Sequence, residues 1–147
     1  MSATTGQNLR EIREQVVLEH LQAENNHDLE AIMETFSPEP RFALNGVELA
    51  GQETIRAVYE GFGFGQSGSF SDIRLNLQKW YWGDDSVTIE IFLNARHTGE
   101  WQGVAATGKS VAVPFCAVFT FDESNKVASE RAWFDGALVL QQLGALS

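Results

Sequence analysis

The chain is poor in the groups from which many kinds of site are assembled. Its 147 residues hold one cysteine and three histidines. A single thiol excludes an internal disulfide, and Cys116 sits in an apolar run where a small buried residue is expected. His20, His27 and His97 are spread through the sequence and no cysteine cluster joins them, so no metal and no cofactor are expected. Basic residues are also scarce: 10 Lys and Arg stand against 20 Asp and Glu, a formal net charge of −10. A surface of that sign repels phosphate, which argues against nucleic acid and against anionic membranes as partners. No apolar stretch approaches membrane-spanning length, and the N-terminus lacks the apolar core of a signal peptide, so a cytoplasmic location is the expectation. With no repeat, linker or low-complexity tract, residues 1–147 read as one domain, with 1–7 frayed.

What the chain does have is clear periodicity. Ile12, Val16, His20 and Ala23, beside Val17 and Leu21, recur at helical spacing after a capping pair, Asn8 and Glu11. His20 falls on or near the apolar face, either as a hydrogen-bonded core residue or as a polar group aimed into a cavity. Residues 25–28 break the pattern, and Asp28 can cap a second helix carrying Leu29, Ile32, Met33 and Phe36, which Pro38 and Pro40 should end. Asn45-Gly46 is a strong hairpin turn. A third helix follows Gly51, with Ile55, Val58, Tyr59 and Phe62 on its buried side. Residues 61–71 alternate glycines with Phe62, Phe64 and Phe70. They lack the Lys-Ser/Thr ending of a phosphate loop, and read either as a mobile aromatic flap over an apolar ligand or as a surface loop pinned by its phenylalanines.

From residue 72 onward the chain reads as β. Strands are expected over 72–82, 87–97, 111–121 and 126–134, separated by turns and by a Gly-rich connection at 98–109. In the second, Val87, Ile89, Ile91 and Leu93 share one face, and Thr88, Glu90, Phe92, Asn94 and Arg96 the other. The third is apolar on both faces, as a central, covered strand would be. The last runs into a short helix at Leu138, Leu140 and Leu143, with Asp135 at the joint. Helices first and a meander of antiparallel strands after them make an α+β domain.

Two stretches carry a family resemblance. His97-Thr98-Gly99 with Thr107-Gly108-Lys109 is similar to a Thr-His-x-Gly and Thr-Gly-Lys/Arg pattern. Asp135 with Leu138, Leu140 and Gln142-Leu143-Gly144 is similar to a closing Asp and Gln-Leu-Gly. On these residues the chain resembles the SnoaL-like polyketide cyclases of the nuclear transport factor 2-like superfamily, over about residues 9–144. The resemblance implies a cone-shaped, curved, mostly antiparallel sheet wrapped around three N-terminal helices, with a short C-terminal helix. It also implies a deep apolar pocket for a small-molecule ligand and a homodimer packed through the sheet. The implied activity is a cofactor-free aldol cyclisation or isomerisation of a carbonyl-bearing apolar compound, in which a carboxylate removes a proton and the enolate is stabilised by a hydrogen bond or positive charge.

The resemblance implies Asp135 as the acid/base, with His97 and Arg96 as polar partners and His20, Trp80, Trp82, Trp133, Phe62 and Phe64 as pocket walls. From the residues alone, Asp135 has a competing assignment as the N-cap of the last helix. Glu130 is the other acid of that strand. It shares a face with Ala132, whereas Arg131, Trp133 and Asp135 share the opposite one, so only one of the two acids can face a pocket. The chain departs from related epoxide hydrolases at Thr98 and Ala132, where that chemistry needs carboxylates. It departs from related ketosteroid isomerases at His20 and at Leu44-Asn45, which fall nearest their Tyr and Asp. A non-catalytic binding or scaffold domain of the same fold is the alternative.

Overall fold

A computed structural model of the protein describes residues 6–146. Of the stretch expected to be frayed, residues 1–5 lie outside the described residues, and Gly6 opens the first helix. Helix α1 spans Gly6–Asn25 and α2 spans Leu29–Glu34. Strands β1 (Phe36–Leu44) and β2 (Val47–Ala50) follow. Helix α3 (Gln52–Tyr59) continues into a π-helical turn over Glu60–Phe64. Four long strands come next, β3 (Phe70–Trp82), β4 (Ser86–His97), β5 (Ser110–Phe121) and β6 (Val127–Phe134), and then α4 (Gly136–Gln142). All six strands form one sheet in the order β2-β1-β6-β5-β4-β3. Among the described residues, only β1 and β6 pair in parallel. The expected α+β architecture is the one observed: an unclosed curved sheet with N-terminal helices and a short C-terminal helix.

The sheet bends where extra residues interrupt its ladders. Between Ser71 and Arg74, and again between Leu77 and Lys79, β3 carries more residues than its partner β4, and such bulges increase local twist. β3 is an edge strand, and backbone groups on its open side find partners at the end of α1 and on the turn after it. Asn25 donates to the Leu75 carbonyl at 3.0 Å and accepts from the Leu75 N–H at 2.7 Å. His27 Nε2 donates to the Ile73 carbonyl at 2.9 Å. These bonds fix α1 across the concave face. There its stripe of Val17, His20, Leu21 and Glu24 is buried, whereas Ile12, expected on that stripe, is exposed.

Two other expectations are corrected, and one of two open readings is decided. Phe36 does not extend α2: the helix stops at Glu34, and Phe36 opens β1 with Pro38 and Pro40 inside the strand. A residue before proline is driven to extended backbone, so the prolines reach further back than a simple helix stop. Residues 61–71 are pinned rather than flap-like. Phe64 and Phe70 are buried, and Ser69 bonds backward to Gly61 and forward to Thr98, Gly99 and Glu100. Strand β5 is internal to the sheet as expected, but one face alone is covered. Val111, Val113, Ala117 and Phe119 are buried, while Pro114 is exposed and Cys116 and Val118 are half-buried on the convex side.

Candidate functional site

Four ionisable side chains meet beneath the concave face of the sheet. His20 and Glu24 lie one helical turn apart on α1, Tyr59 ends α3, and Glu130 projects inward from β6. All four are buried. The Tyr59 hydroxyl donates to Glu130 Oε1 at 2.7 Å. His20 Nε2 is 3.1 Å from the Tyr59 oxygen, 3.3 Å from Glu130 Oε1 and 3.5 Å from Glu24 Oε2. The edges of Phe36 and Phe119 pack against the His20 ring.

The bonds around His20 fix its proton positions. The Thr35 hydroxyl donates its hydrogen to the Ile32 carbonyl at 2.7 Å. Its oxygen must therefore accept the 2.8 Å bond it shares with His20 Nδ1, so Nδ1 carries a hydrogen. Nε2 then faces three oxygens and no donor, because the phenolic hydrogen is committed to Glu130. That ring of acceptors suits a protonated Nε2 and hence an imidazolium. Burial alone lowers the affinity of His20 for its proton, but the carboxyls of Glu24 and Glu130 outweigh it and raise the pKa to about 10. Burial likewise pushes Glu24 above the usual carboxylate range, against the opposing pull of His20. Tyr59 is pushed well above an ordinary phenol, by burial and then by the two carboxyls, so it acts as a donor and not as a base.

The cluster borders a small inner chamber of about 50 Å³. Glu24, Tyr59 and Glu130 line it. The rest of its wall is apolar and includes Leu44, Val58, Phe62, Phe64, Phe115 and Ala132. The nitrogen of His20 and the carboxyl oxygens of Glu24 and Glu130 lie within 4.8 Å of one another, close enough to grip a cation. A cation there would need the Nε2 lone pair. The same two carboxyls instead strengthen the hold of Nε2 on a proton, and Thr35 and Tyr59 complete the solvation of an imidazolium.

The residues expected at the site are scattered. Asp135 is exposed and caps α4, accepting from the Leu138 N–H at 3.0 Å. Arg96 lies on the convex side of β4, exposed, by the same alternation that turns His97 inward. His97 is buried but anchors the connection after β4: its Nδ1 accepts from the Thr107 N–H at 3.2 Å. Trp80 and Trp82 stack on each other at 5.4 Å with Arg10 over the second ring, and neither lines the chamber. Trp133 is 40% exposed on the convex face. Phe62 and Phe64 line the chamber, and His20 is buried behind its polar end. The Asn45 side chain accepts from the Phe134 N–H at 2.9 Å and so ties the β1–β2 turn to β6.

Missed as a group were Glu24, Tyr59 and Glu130. Their signals were present. Glu24 repeats His20 at i+4, Tyr59 repeats Ile55 at i+4, and Glu130 shares its strand face with Ala132. Since Asp135 is a cap, Asp135→Asn, which preserves the capping oxygen, should leave the melting temperature and any turnover unchanged. Asp135→Ala should cost about 1 kcal/mol of stability, measured by urea unfolding, again with turnover kept.

Comparison with known proteins agrees with the fold. The family model described as the SnoaL-like polyketide cyclases matches residues 14–143. The AclR protein of Streptomyces galilaeus, a candidate hydroxylase, is 25% identical, with 92% of this chain and 86% of that one covered at a TM-score of 0.77. TsrD from Streptomyces laurentii is 23% identical, with 93% and 98% covered at a TM-score of 0.80. A candidate SnoaL-like polyketide cyclase from Jannaschia sp. CCS1 is 20% identical, with 92% and 94% covered at a TM-score of 0.81. No curated protein matches the chain significantly.

Proposed function

Because the chain belongs to the SnoaL-like polyketide cyclase family, we propose that it catalyses a proton-transfer reaction, an aldol cyclisation or an isomerisation, on a carbonyl-bearing apolar small molecule. We assign Glu130 as the base. The observation that carries this reading is a carboxyl lining an apolar chamber and held there by two donors, Tyr59 at 2.7 Å and His20 at 3.3 Å. A carboxylate so placed takes the proton from a carbon activated by a neighbouring carbonyl. The electron pair moves onto the carbonyl oxygen, and the resulting enolate attacks a second carbonyl or is reprotonated at another carbon.

The other three residues supply what the enolate needs. Glu24 holds its proton to higher pH than an ordinary glutamate and lines the same chamber, so it can donate to the developing oxyanion. Two neighbouring carboxyls with one proton between them is a recurrent arrangement for acid and base roles. His20 adds a fixed positive charge. With Glu24 protonated and Glu130 ionised the cluster is neutral overall, the least costly state in a low-dielectric interior. Tyr59 orients Glu130 and offers a neutral O–H donor. The apolar wall excludes water from these groups and strengthens each interaction.

The test is exchange of the acidic C–H of an aryl β-keto ester for deuterium, followed by NMR in heavy water. The protein should exceed buffer of equal carboxylate concentration by at least about 10²-fold. Exchange at the buffer rate would leave binding without chemistry.

A further inference from the structure

Thr35 joins two arms of the buried cluster. It is the residue after α2, it is buried, and it does not line the chamber. Its main chain faces one arm. The Thr35 carbonyl accepts at 2.8 Å from the N–H of Val127, the first residue of the strand that carries Glu130. Beside it, Lys126 Nζ donates to the Glu34 carbonyl at 2.7 Å. These bonds hold β6 where its ladder with β1 is irregular, between Phe36 and Arg41. The side chain faces the other arm. Its hydroxyl hydrogen is committed to the Ile32 carbonyl at 2.7 Å, which leaves its oxygen to accept the 2.8 Å bond from His20 Nδ1.

The consequence for the ring is geometric. A half-turn of the imidazole about its Cβ–Cγ bond would place carbon where each nitrogen stands, and Nε2 would leave Glu130 and Glu24. The Nδ1 bond to Thr35 opposes that turn from the side remote from the carboxyls. It also favours the charged ring, because a hydrogen bond from a cation is stronger than one from a neutral donor. The other polar groups facing the ring are Glu24 of its own helix, Tyr59 of α3 and Glu130 of β6, and all three meet Nε2. Among the described residues, Thr35 alone is bonded to Nδ1.

We infer that Thr35 is a positioning residue for the proton transfer: its hydroxyl keeps His20 Nε2 turned toward Glu130, and its carbonyl fixes the strand that brings Glu130 to the ring. It touches neither the substrate nor the reacting atoms, and acts through these two residues. The inference rests on the acid/base reading of Glu130 and adds to it a residue from a fourth element, the end of α2. Thr35→Val keeps the shape of the side chain and loses the hydroxyl, so it should disturb the charged ring while leaving the chamber wall in place.

The test titrates the His20 ring by ¹⁵N NMR and measures deuterium exchange of the same aryl β-keto ester. In the native protein the ring should lose its charge with a midpoint at about 10. Thr35→Val should lower that midpoint by about one pH unit or more, the difference between hydrogen bonds to charged and to neutral groups. It should also lower kcat for exchange at pH 7 by about tenfold, through looser alignment of the ring on Glu130, with KM unchanged. Thr35→Ala should give the same shift and replaces the valine variant if that fails to fold. Thr35→Ser, which restores the hydroxyl, should return both the midpoint and kcat to native values. Lys126→Met is the control. It removes a tie between α2 and β6 but no bond to His20, so it should lower the melting temperature and leave the midpoint alone. A midpoint or a kcat that stays native in Thr35→Val overturns the inference while the acid/base reading stands. So does a loss that serine does not restore, which would make Thr35 structural only. Exchange at the buffer rate in the native protein overturns both.

Discussion

Glu130→Gln is expected to lower protein-catalysed deuterium exchange by about 10²- to 10⁴-fold, the usual contribution of a positioned general base. Glutamine keeps the size of the side chain and an oxygen that can accept from Tyr59, so the chamber should retain its shape. What is lost is the acceptor for the carbon-bound proton. With the Glu130 charge gone, Glu24, 3.5 Å from His20 Nε2, can ionise in its place and balance the imidazolium, so the fold should persist and the effect should appear in kcat. Tyr59→Phe is the informative companion. It removes the 2.7 Å bond that orients Glu130 but leaves the carboxylate, so its loss should be smaller, about 10- to 100-fold, the size of a hydrogen bond to a charged group. Equal losses in both variants would indicate that the phenol, not the carboxyl, performs the chemistry.

The second large effect concerns stability. His20 titrates at about 10 in the folded protein against 6.5 unfolded. Between those values the native state holds one proton that the unfolded chain has released. Stability from this group is therefore fully present below pH 6.5 and declines as pH rises toward 10, by about 1.4 kcal/mol per pH unit. Over the whole span the loss is on the order of 5 kcal/mol, comparable to the entire stability of a small domain. Glu24 and Tyr59 are both shifted upward, so they hold protons in the native state that the unfolded chain releases, and they steepen the decline in their own pH ranges. Urea unfolding from pH 6.5 to 9.5 should show this slope in the native protein, and His20→Gln should remove most of it. A flat native profile would mean that the His20 proton is absent.

The architecture was legible because each element announces itself locally. The 87–97 alternation fixed both faces of β4, and Asn45-Gly46 marked the β1–β2 turn. The ends of α2 were less legible, since Phe36 continues the helical spacing and only the pre-proline restriction moves it into a strand. Faces were also obscured where the ladder is irregular. The β5–β6 register shifts between Thr120 and Phe121, so Val127 is buried together with Glu130 despite their odd spacing.

The site was harder to see because its members come from three separate elements. His20 was recognised as a polar residue on an apolar stripe, and Glu130 was recognised as the acid opposite Asp135. Neither points to the other in sequence. Their meeting depends on α1 lying across the concave face, which in turn depends on Asn25 and His27 bonding to Leu75 and Ile73 of β3. A strand-end aspartate next to a helix reads first as a helix cap and second as a catalytic acid, and the bond to Leu138 decides for the cap.

The ¹⁵N spectrum of the His20 imidazole at pH 8 tests the buried proton-sharing cluster most directly. Hydrogens on both ring nitrogens, with Nε2 losing its own on replacement of the two glutamates by glutamine, is the predicted result. A neutral ring with bare Nε2 at that pH would contradict it.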